Sequence, residues 1–192
     1  MQAKAVDQKA MCHLVVERAY CMTSRRKFLA SLACWVPISA LAQTPVLAMP
    51  QGTVILEVDG AIHRQNAGKT AQLDLAMLDA LPQTSFSTTT IWTEGIVSFS
   101  GPSLMTVLDW LEAEPGKISA SAANLYSITL SPDTVDQDYP ILATRKDSLP
   151  LSLRDSGPIW LIYPFDSDEK YSNDLIYSQS VWQLTRLRVK AT

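Results

Sequence analysis

Short strand-like segments joined by short connections are the feature that most restricts the fold of this chain. After residue 52, apolar runs recur at close intervals and are repeatedly broken by glycine or proline. A parallel βαβ unit needs a crossover of about a dozen residues or more, and few of these connections are long enough for one. The pattern therefore predicts an α+β domain, rich in mixed or antiparallel sheet, with a few short helices.

The same periodicity predicts the individual elements. Residues 53–58 are expected to form a strand, with Asp59-Gly60 as a hairpin turn and residues 61–65 as the returning segment. Helical spacing of apolar residues predicts one helix within residues 71–81 and a second that starts at Pro102 and ends before Pro115-Gly116. Further strands are predicted at residues 84–91, 96–100, 125–130, 141–144, 158–164 and 182–189.

The first quarter of the chain has the pattern of an export signal. In "TSRRKFLASLACWVPISALA", a basic cluster precedes an apolar run that contains Pro37 and ends in an A-x-A sequence. Residues 24–29, "SRRKFL", match the twin-arginine pattern, which implies export of a folded protein. An ordinary secretory signal with adjacent arginines is the alternative interpretation.

Removal of this signal defines the expected mature protein. Residues 1–21 have the composition of an N-terminal extension, so either Met1 or Met22 is the first residue of the translated protein. We expect cleavage after Ala42, with cleavage after Ala48 as the alternative. Residues 1–42 are then an extension and signal, residues 43–192 form one domain, and the expected location is the periplasm.

The charge and cysteine content of residues 43–192 exclude several classes of function. This part holds ten basic and seventeen acidic side chains, a net charge of about −7, which argues against binding to nucleic acid. It holds no cysteine and one histidine, His63, so it lacks the ligands of ordinary zinc or iron sites. The acidic segment "FDSDEKYSND" departs from the calcium-loop pattern and is interpreted as a solvated loop or a partner surface. No nucleophile elbow or phosphate-binding glycine motif is present in the sequence.

Two stretches remain as candidates for a binding site. In "TTTIWTEGIVSFSGP", a predicted strand end carries Trp92 and, two residues later, Glu94. In "LATRKDSLPLSLRDSGPIWLIYP", charged residues lie between two apolar strands, and a turn at Asp147-Ser148 would return the chain toward Arg145. An ordinary charged hairpin with surface ion pairs is the alternative interpretation of the second stretch.

Together these motifs carry a family resemblance. The segment "ILATRKDSLPLSLRDSGPIWLIYP" resembles part of the molybdopterin-binding domain of sulfite-oxidase-type oxidoreductases, and "TSFSTTTIWTEG…FSGPSLMTVLDWL" is similar to that family's cofactor strand and following helix. The likeness covers residues 52–190. It implies the sulfite-oxidase type of molybdopterin-binding fold.

One departure from the family changes the implied function. The family's enzymes carry a molybdenum-binding cysteine after the strand that corresponds to residues 84–91, whereas Trp92 and Glu94 occupy this neighbourhood here. The chain is more similar to small exported, cysteine-less members that bind pterins, the pterin-response-regulator type. That resemblance implies a non-catalytic pterin sensor that works with the periplasmic domain of a membrane-bound enzyme of cyclic di-GMP metabolism. A molybdopterin-dependent oxidoreductase without the cysteine ligand is the alternative.

The chemistry of a pterin agrees with the residues of the opening motif. A tryptophan face stacks on a flat heteroaromatic ring, and a ligand role is favoured for Trp92 over the alternative of a buried core residue. A carboxylate accepts the paired N–H donors along one pterin edge. Glu94 is the first candidate for this carboxylate, and Asp147 and Asp155 are its rivals. By the resemblance, Arg145 and Arg154 lie along the cofactor groove, and Tyr163 and Tyr126 are further candidates for its wall.

Overall fold

The structure, a computed structural model, describes residues 47–191. The predicted extension, the signal and the Ala42 cleavage site lie outside this range. The described residues form a mixed α+β structure with three sheets and few, short helices. The α+β prediction is therefore confirmed.

A five-stranded mixed sheet forms one half of this structure, in the order β2-β1-β11-β5-β6. The central strands β1 and β11 are parallel, and every other neighbouring pair is antiparallel. Its strands are β1 (Val54–Gly60), β2 (Thr70–Asp74), β5 (Gly116–Ala122), β6 (Ser127–Thr129) and β11 (Leu184–Ala191).

Alternation of side chains along these strands buries one face of the sheet. Leu56 and Val58 in β1 and Leu187 and Val189 in β11 are buried, whereas the residues between them are partly or fully exposed. Apolar side chains thus gather on one face of the pleat. The other face carries ion pairs between β1 and β11, Glu57 with Arg186 and Asp59 with Arg188. The buried face and the helices packed on it form the first hydrophobic core.

The helix predicted to start at Pro102 is present as α2, Leu104–Trp110. Ser103 caps it, because its side chain accepts a hydrogen bond from the Thr106 N–H. The predicted apolar stripe is confirmed, since Leu104, Val107, Leu108 and Leu111 are all buried in the first core.

The second half of the structure contains two smaller sheets around an aromatic core. A four-stranded antiparallel sheet has the order β3-β4-β8-β9, and β7 pairs with β10 in a separate two-stranded sheet. Phe99, Trp160, Tyr163 and Phe165 are buried in this second core. The strands are β3 (Thr84–Thr88), β4 (Val97–Gly101), β7 (Ile141–Ala143), β8 (Arg145–Lys146), β9 (Leu149–Pro150) and β10 (Trp160–Ile162).

The turn predicted at Asp147-Ser148 joins β8 and β9. Both residues have positive φ, 49° and 67°, as a two-residue turn of the primed type requires. The Asp147 carboxylate accepts a hydrogen bond of 3.0 Å from the Ser98 N–H, and Ser98 O accepts one of 2.8 Å from the Asp147 N–H. The turn is therefore attached to β4.

The hairpin turn predicted at Asp59-Gly60 was wrong. β1 continues through Gly60 and remains paired with β11, and the antiparallel neighbour of β1 is β2 rather than residues 61–65. Gly60 has φ of +95°, and a Cβ at this position would lie 1.9 Å from the carbonyl oxygen of Val189. The glycine is therefore needed for close packing between the strands. In the sequence, an Asp-Gly pair that meets this need cannot be told from one that forms a turn.

The helix predicted within residues 71–81 was correct only in its second half. The segment begins as β2, and the helix α1 covers Leu75–Asp79. The chain changes from strand to helix at Asp74, whose side chain caps the helix by accepting a hydrogen bond from the Met77 N–H. The strand predicted at residues 84–91 likewise ends early, at Thr88.

A third short helix, α3 (Asp174–Gln179), was not predicted from the sequence. Asn173 caps it through a hydrogen bond from the Ile176 N–H. Within residues 47–191, no helix is both long and apolar enough to cross a membrane.

Candidate functional site

The loop between β3 and β4 presents Trp92 at the edge of the aromatic core. The Trp92 N–H donates to Thr90 Oγ1 at 3.1 Å, and the hydroxyls of Thr90 and Thr93 are 2.8 Å apart. Gly95 then adopts φ of +67°, which allows the chain to turn toward β4. The polar side chains of "TTTIWTEG" thus shape the loop that carries the indole ring.

The base of this loop is attached to the segment after β10 through Asp166. The Asp166 carboxylate accepts hydrogen bonds from the Thr89 N–H and, at 2.8 Å, from the Thr89 hydroxyl. The Asp166 N–H donates to Thr88 Oγ1 at 3.0 Å. The bond from the Thr89 backbone is the main cause that lowers the pKa of Asp166 below its usual value. Asp166, interpreted from the sequence as part of a solvated acidic loop, therefore supports the Trp92 loop.

Trp92 is half-buried among other aromatic rings. Its ring centroid lies 5.7 Å from that of Trp160 and 6.0 Å from that of Phe165. The rings of Tyr177 and Trp182 lie 6.1 Å and 6.4 Å away. Trp160 and Phe165 are buried core residues, Tyr177 is partly buried against the same core, and Trp182 is exposed. One side of the indole packs on the core, and the ring also borders an open cavity.

This cavity has a volume of about 290 Å³. Four aromatic residues from different parts of the chain line it, and an asparagine, two serines and a valine complete the lining. We call it the aromatic cavity, and its residues are Trp92, Asn124, Tyr126, Tyr177, Ser178, Ser180, Val181 and Trp182.

Three separate segments bring the lining residues together. The turn between β5 and β6 supplies Asn124 and Tyr126, and the Asn124 side chain accepts a hydrogen bond of 3.0 Å from the Tyr126 N–H. The Tyr126 hydroxyl donates to Ser178 O at 2.8 Å, which attaches this turn to α3. Tyr177 belongs to α3, and Trp182 lies between α3 and β11. The cavity therefore lies where the aromatic core meets the end of the large sheet.

Among the residues predicted for the site, the structure brings Trp92 and Tyr126 together in the aromatic cavity. Arg154 lines a neighbouring hollow of about 260 Å³, which also includes Asn124 and Trp182. Asp155 is next to Arg154 in a short 3-10 turn, and its carboxylate accepts a hydrogen bond of 2.6 Å from the Ser152 hydroxyl.

Four other predicted residues do not line the aromatic cavity. Glu94 is exposed in the same loop as Trp92. Arg145 forms a two-point ion pair with Asp79, at 2.5 and 2.7 Å, and this pairing raises the pKa of Arg145. Asp147 lies in the β8–β9 turn described above.

Tyr163, also predicted for the wall, is fully buried in the second core. Its hydroxyl is 3.3 Å from Gln179 Oε1, to which it donates. Burial raises the pKa of Tyr163 to about 12. The tyrosine therefore packs behind the site rather than facing a ligand.

Most residues of the cavity lining were not predicted from the sequence. Trp182 was assigned to the start of a predicted strand, and Tyr177 belongs to the unpredicted helix α3. Trp182 leaves 42% of its surface exposed, which is unusual for so large an apolar side chain. The available signal was the close spacing of Tyr177 and Trp182 just before a strand, which does not reveal their proximity to Trp92.

A larger hollow of about 620 Å³ lies at the end of the five-stranded sheet. It includes Glu57 and Arg186, which are already paired with each other at 2.6 Å, and no aromatic ring lines it. The aromatic cavity is therefore better suited to hold a flat ring. Within residues 47–191 there is no group of three His, Cys, Asp or Glu side chains arranged to hold a metal ion.

Comparison with known proteins does not add a family assignment. No protein-family model matches the chain, and no curated protein matches it with significance.

Proposed function

We propose that this protein is a periplasmic pterin-binding sensor with a fold of the sulfite-oxidase molybdopterin-binding type. The observation that carries the proposal is the aromatic cavity, in which Trp92, Tyr126, Tyr177 and Trp182 surround a space of about 290 Å³. Small-molecule sites are typically concave, lined by aromatic side chains and supplied with a few polar groups. The volume is near the lower end of the usual range, as expected for a single bicyclic ring system.

The lining provides both kinds of contact that a pterin needs. The rings of Trp92 and Trp182, inclined by 51°, offer stacking and edge contacts to a flat heterocycle. Asn124, Ser178 and Ser180 bring polar side chains to the same space. In this proposal the carboxylate that accepts the paired donors of the pterin edge comes from outside the lining, from Glu94, which is exposed two residues after Trp92.

The donor set does not fit the alternative, an oxidoreductase that binds molybdopterin in the family's usual way. Such a centre needs a thiolate after β3, and residues 43–192 contain no cysteine. The hydroxyls that follow β3 are engaged, Thr89 with Asp166 and Thr90 with Thr93. We therefore propose binding without catalysis.

The sensor part of the proposal rests on the resemblance to small exported pterin-binding proteins. In this proposal, ligand binding changes the contact between the protein and a partner. The proposed partner is the periplasmic domain of a membrane-bound enzyme that makes or degrades cyclic di-GMP. The aromatic cavity is open to solvent on its Trp182 side, so such a partner could contact a bound ligand directly.

Denaturing extraction of natively expressed protein tests the proposal. Released small molecules are identified by fluorescence and mass spectrometry, and molybdenum is measured in the same sample. A stoichiometric pterin without metal supports the sensor. Molybdopterin with stoichiometric molybdenum would overturn it in favour of the oxidoreductase, and extraction of neither would reject both.

The Trp92→Ala variant provides the matched comparison. Loss of the ring removes the stacking partner, so the extracted pterin is expected to disappear although the protein remains folded. Trp110→Phe is the control, because Trp110 stacks beneath Arg64 outside the cavity. Equal pterin content in the Trp92→Ala and control proteins would contradict the assignment of the cavity.

A further inference from the structure

The aromatic cavity has a neighbouring hollow that contains a cationic side chain. The hollow, about 260 Å³, is lined by Leu153, Arg154, Ser156 and Gln183 together with two residues shared with the aromatic cavity. The shared residues are Asn124 and Trp182. A molecule seated against Trp182 can therefore extend from the first space into the second without leaving the surface of the protein.

Arg154 is distinguished from the other arginines of the described chain by its lack of a partner. Arg145, Arg186 and Arg188 each pair with a carboxylate. Arg64 donates to Trp110 O at 3.0 Å and stacks on its ring. Arg154 makes no hydrogen bond, ion pair or ring contact with any residue of the range 47–191. Its five N–H donors thus remain available in a concave site.

The segment that carries Arg154 is held firmly against the Trp182 segment. The Gln183 side chain donates to Leu153 O at 3.0 Å, and the Gln183 N–H donates to Ser156 O at 2.8 Å. Ser156 adopts φ of +69° to close the turn. Because Gln183 follows Trp182 directly in the chain, these bonds fix the backbone of Arg154 relative to the indole.

Asp155, the acidic neighbour of Arg154, does not cancel the positive charge in the hollow. The Asp155 carboxylate accepts a hydrogen bond from the Ser152 hydroxyl, and Asp155 is not among the residues that line the hollow. Arg154 therefore provides the only formal charge of the lining residues, and that charge is positive. A guanidinium group is the side chain best suited to bind a phosphate or carboxylate through two parallel hydrogen bonds.

We propose that the ligand of the aromatic cavity carries an anionic group, a carboxylate or a phosphate, on a short substituent of its ring, and that Arg154 binds this group. The inference rests on the proposed function and adds the charge of the ligand to it. A neutral pterin fills only the aromatic cavity, whereas an acidic pterin occupies both spaces.

Calorimetric titration with two probes tests this inference. Pterin-6-carboxylate carries the acidic group, and 6-hydroxymethylpterin is its uncharged counterpart. The parent protein is expected to bind the carboxylate about tenfold more tightly at low salt, in line with a hydrogen bond to a charged group. In Arg154→Gln this preference is lost, while the affinity for the uncharged probe is unchanged. Lys69→Gln, an exposed change of equal charge, is the control and retains the preference.

The outcomes separate this inference from the proposed function. Binding of both probes with equal affinity, or a preference that survives in Arg154→Gln, overturns the role of Arg154 but leaves pterin binding in place. A preference lost equally in Lys69→Gln would show a general charge effect and would also overturn it. Binding of neither probe overturns the pterin assignment itself. A pterin phosphate used as a third probe distinguishes a phosphate from a carboxylate as the preferred group.

Discussion

The indole rings of Trp92 and Trp182 lie 6.4 Å apart, inclined by 51°, on the wall of one cavity. Trp92 belongs to the loop after β3, and Trp182 directly precedes the segment that leads into β11. Both rings also approach the buried Trp160, at 5.7 and 6.5 Å. The core residue Trp160 thus supports two rings that are partly open to solvent, a suitable arrangement for binding a flat molecule.

Trp182→Ala tests the outer ring of this pair. Trp182 is 42% exposed, so its removal is expected to change the free energy of unfolding by only about 1 kcal/mol. Its proposed contact with the ligand is lost, and we expect the affinity for a pterin to fall by about tenfold or more. Calorimetric titration and urea unfolding of the same preparation measure the two effects. A variant that binds a pterin as tightly as the parent would remove Trp182 from the site.

Asp166→Asn tests the support of the Trp92 loop. An asparagine retains one acceptor oxygen, so one of the two bonds from Thr89 is lost together with the negative charge. We expect a several-fold lower pterin affinity, because Trp92 is held less firmly. Since the pKa of Asp166 is lowered, the carboxylate remains charged at neutral pH and is protonated only below the usual range of aspartate.

The control for this prediction is Asp168→Asn. Asp168 is exposed in the same acidic segment, and its carboxylate accepts a hydrogen bond from the Lys170 N–H rather than from the Trp92 loop. The Asp168→Asn variant removes the same negative charge as Asp166→Asn at a nearby position. If both variants lower the affinity equally, the effect is electrostatic and the proposed support by Asp166 is wrong.

Truncation at the N-terminus tests how far the folded domain extends. Leu47 is only 1% exposed in the first core, and its N–H donates to Gln65 O at 3.2 Å. The Ala48 carbonyl also accepts a hydrogen bond from the Asn66 side chain. A chain that begins at Met49 should therefore be less stable than one that begins at Gln43. The expected loss is about 2–5 kcal/mol, as for deletion of a buried leucine side chain.

Denaturant unfolding of the two chains measures this difference. Leu47→Ala in the longer chain is the matched variant and should reproduce most of the loss. Of the two expected cleavage sites, this prediction favours Ala42 over Ala48, because a cut after Ala48 removes the core residue Leu47. Equal stability of the two chains would contradict it, and mass spectrometry of the mature protein checks the cut directly.

Tyr163→Phe tests the alkaline stability of the aromatic core. Burial raises the pKa of Tyr163 from 10.0 to about 12, so the folded state holds this proton more tightly than the unfolded state. The protonated Tyr163 hydroxyl therefore contributes about 2–3 kcal/mol to the free energy of unfolding. This contribution is fully present below pH 10 and is lost as the pH rises through about 12. The pKa of Tyr171 is raised as well, so the parent protein should lose stability in this range from more than one residue.

The measurement is the free energy of unfolding of parent and Tyr163→Phe proteins between pH 9 and 12. The variant should lose less stability over this interval, because the phenylalanine has no proton to release. Parallel curves for the two proteins would show that Tyr163 does not titrate with the raised pKa.

Local sequence patterns determined much of the secondary structure. The spacing of Leu104, Val107, Leu108 and Leu111 predicted α2 and its buried face, because a helix repeats about every 3.6 residues. Alternation predicted β11, and Asp147-Ser148 correctly indicated the turn before Leu149. These features show in the spacing of residue types along a short segment, so the sequence carries them directly.

Tertiary packing decided the cases in which one local pattern fits two structures. Gly60 has the sequence signature of a turn, yet its missing side chain allows close contact with Val189 of β11. Residues 71–81 have helical spacing, yet pairing with β1 draws the first part into β2. In both cases the structure is set by contacts with residues that are distant in the chain, and the local spacing of residue types does not reveal such contacts.

The candidate site shows the same division. By itself the sequence determined that residues 43–192 contain no cysteine, that they are acidic, and that a tryptophan and a carboxylate follow β3. Only the tertiary structure placed Trp92 beside Trp182 and paired Arg145 with Asp79 while leaving Arg154 without a partner in the described chain. The reason is physical: residue type fixes what a side chain is able to bind, whereas long-range packing fixes which side chains share a cavity and which are already engaged.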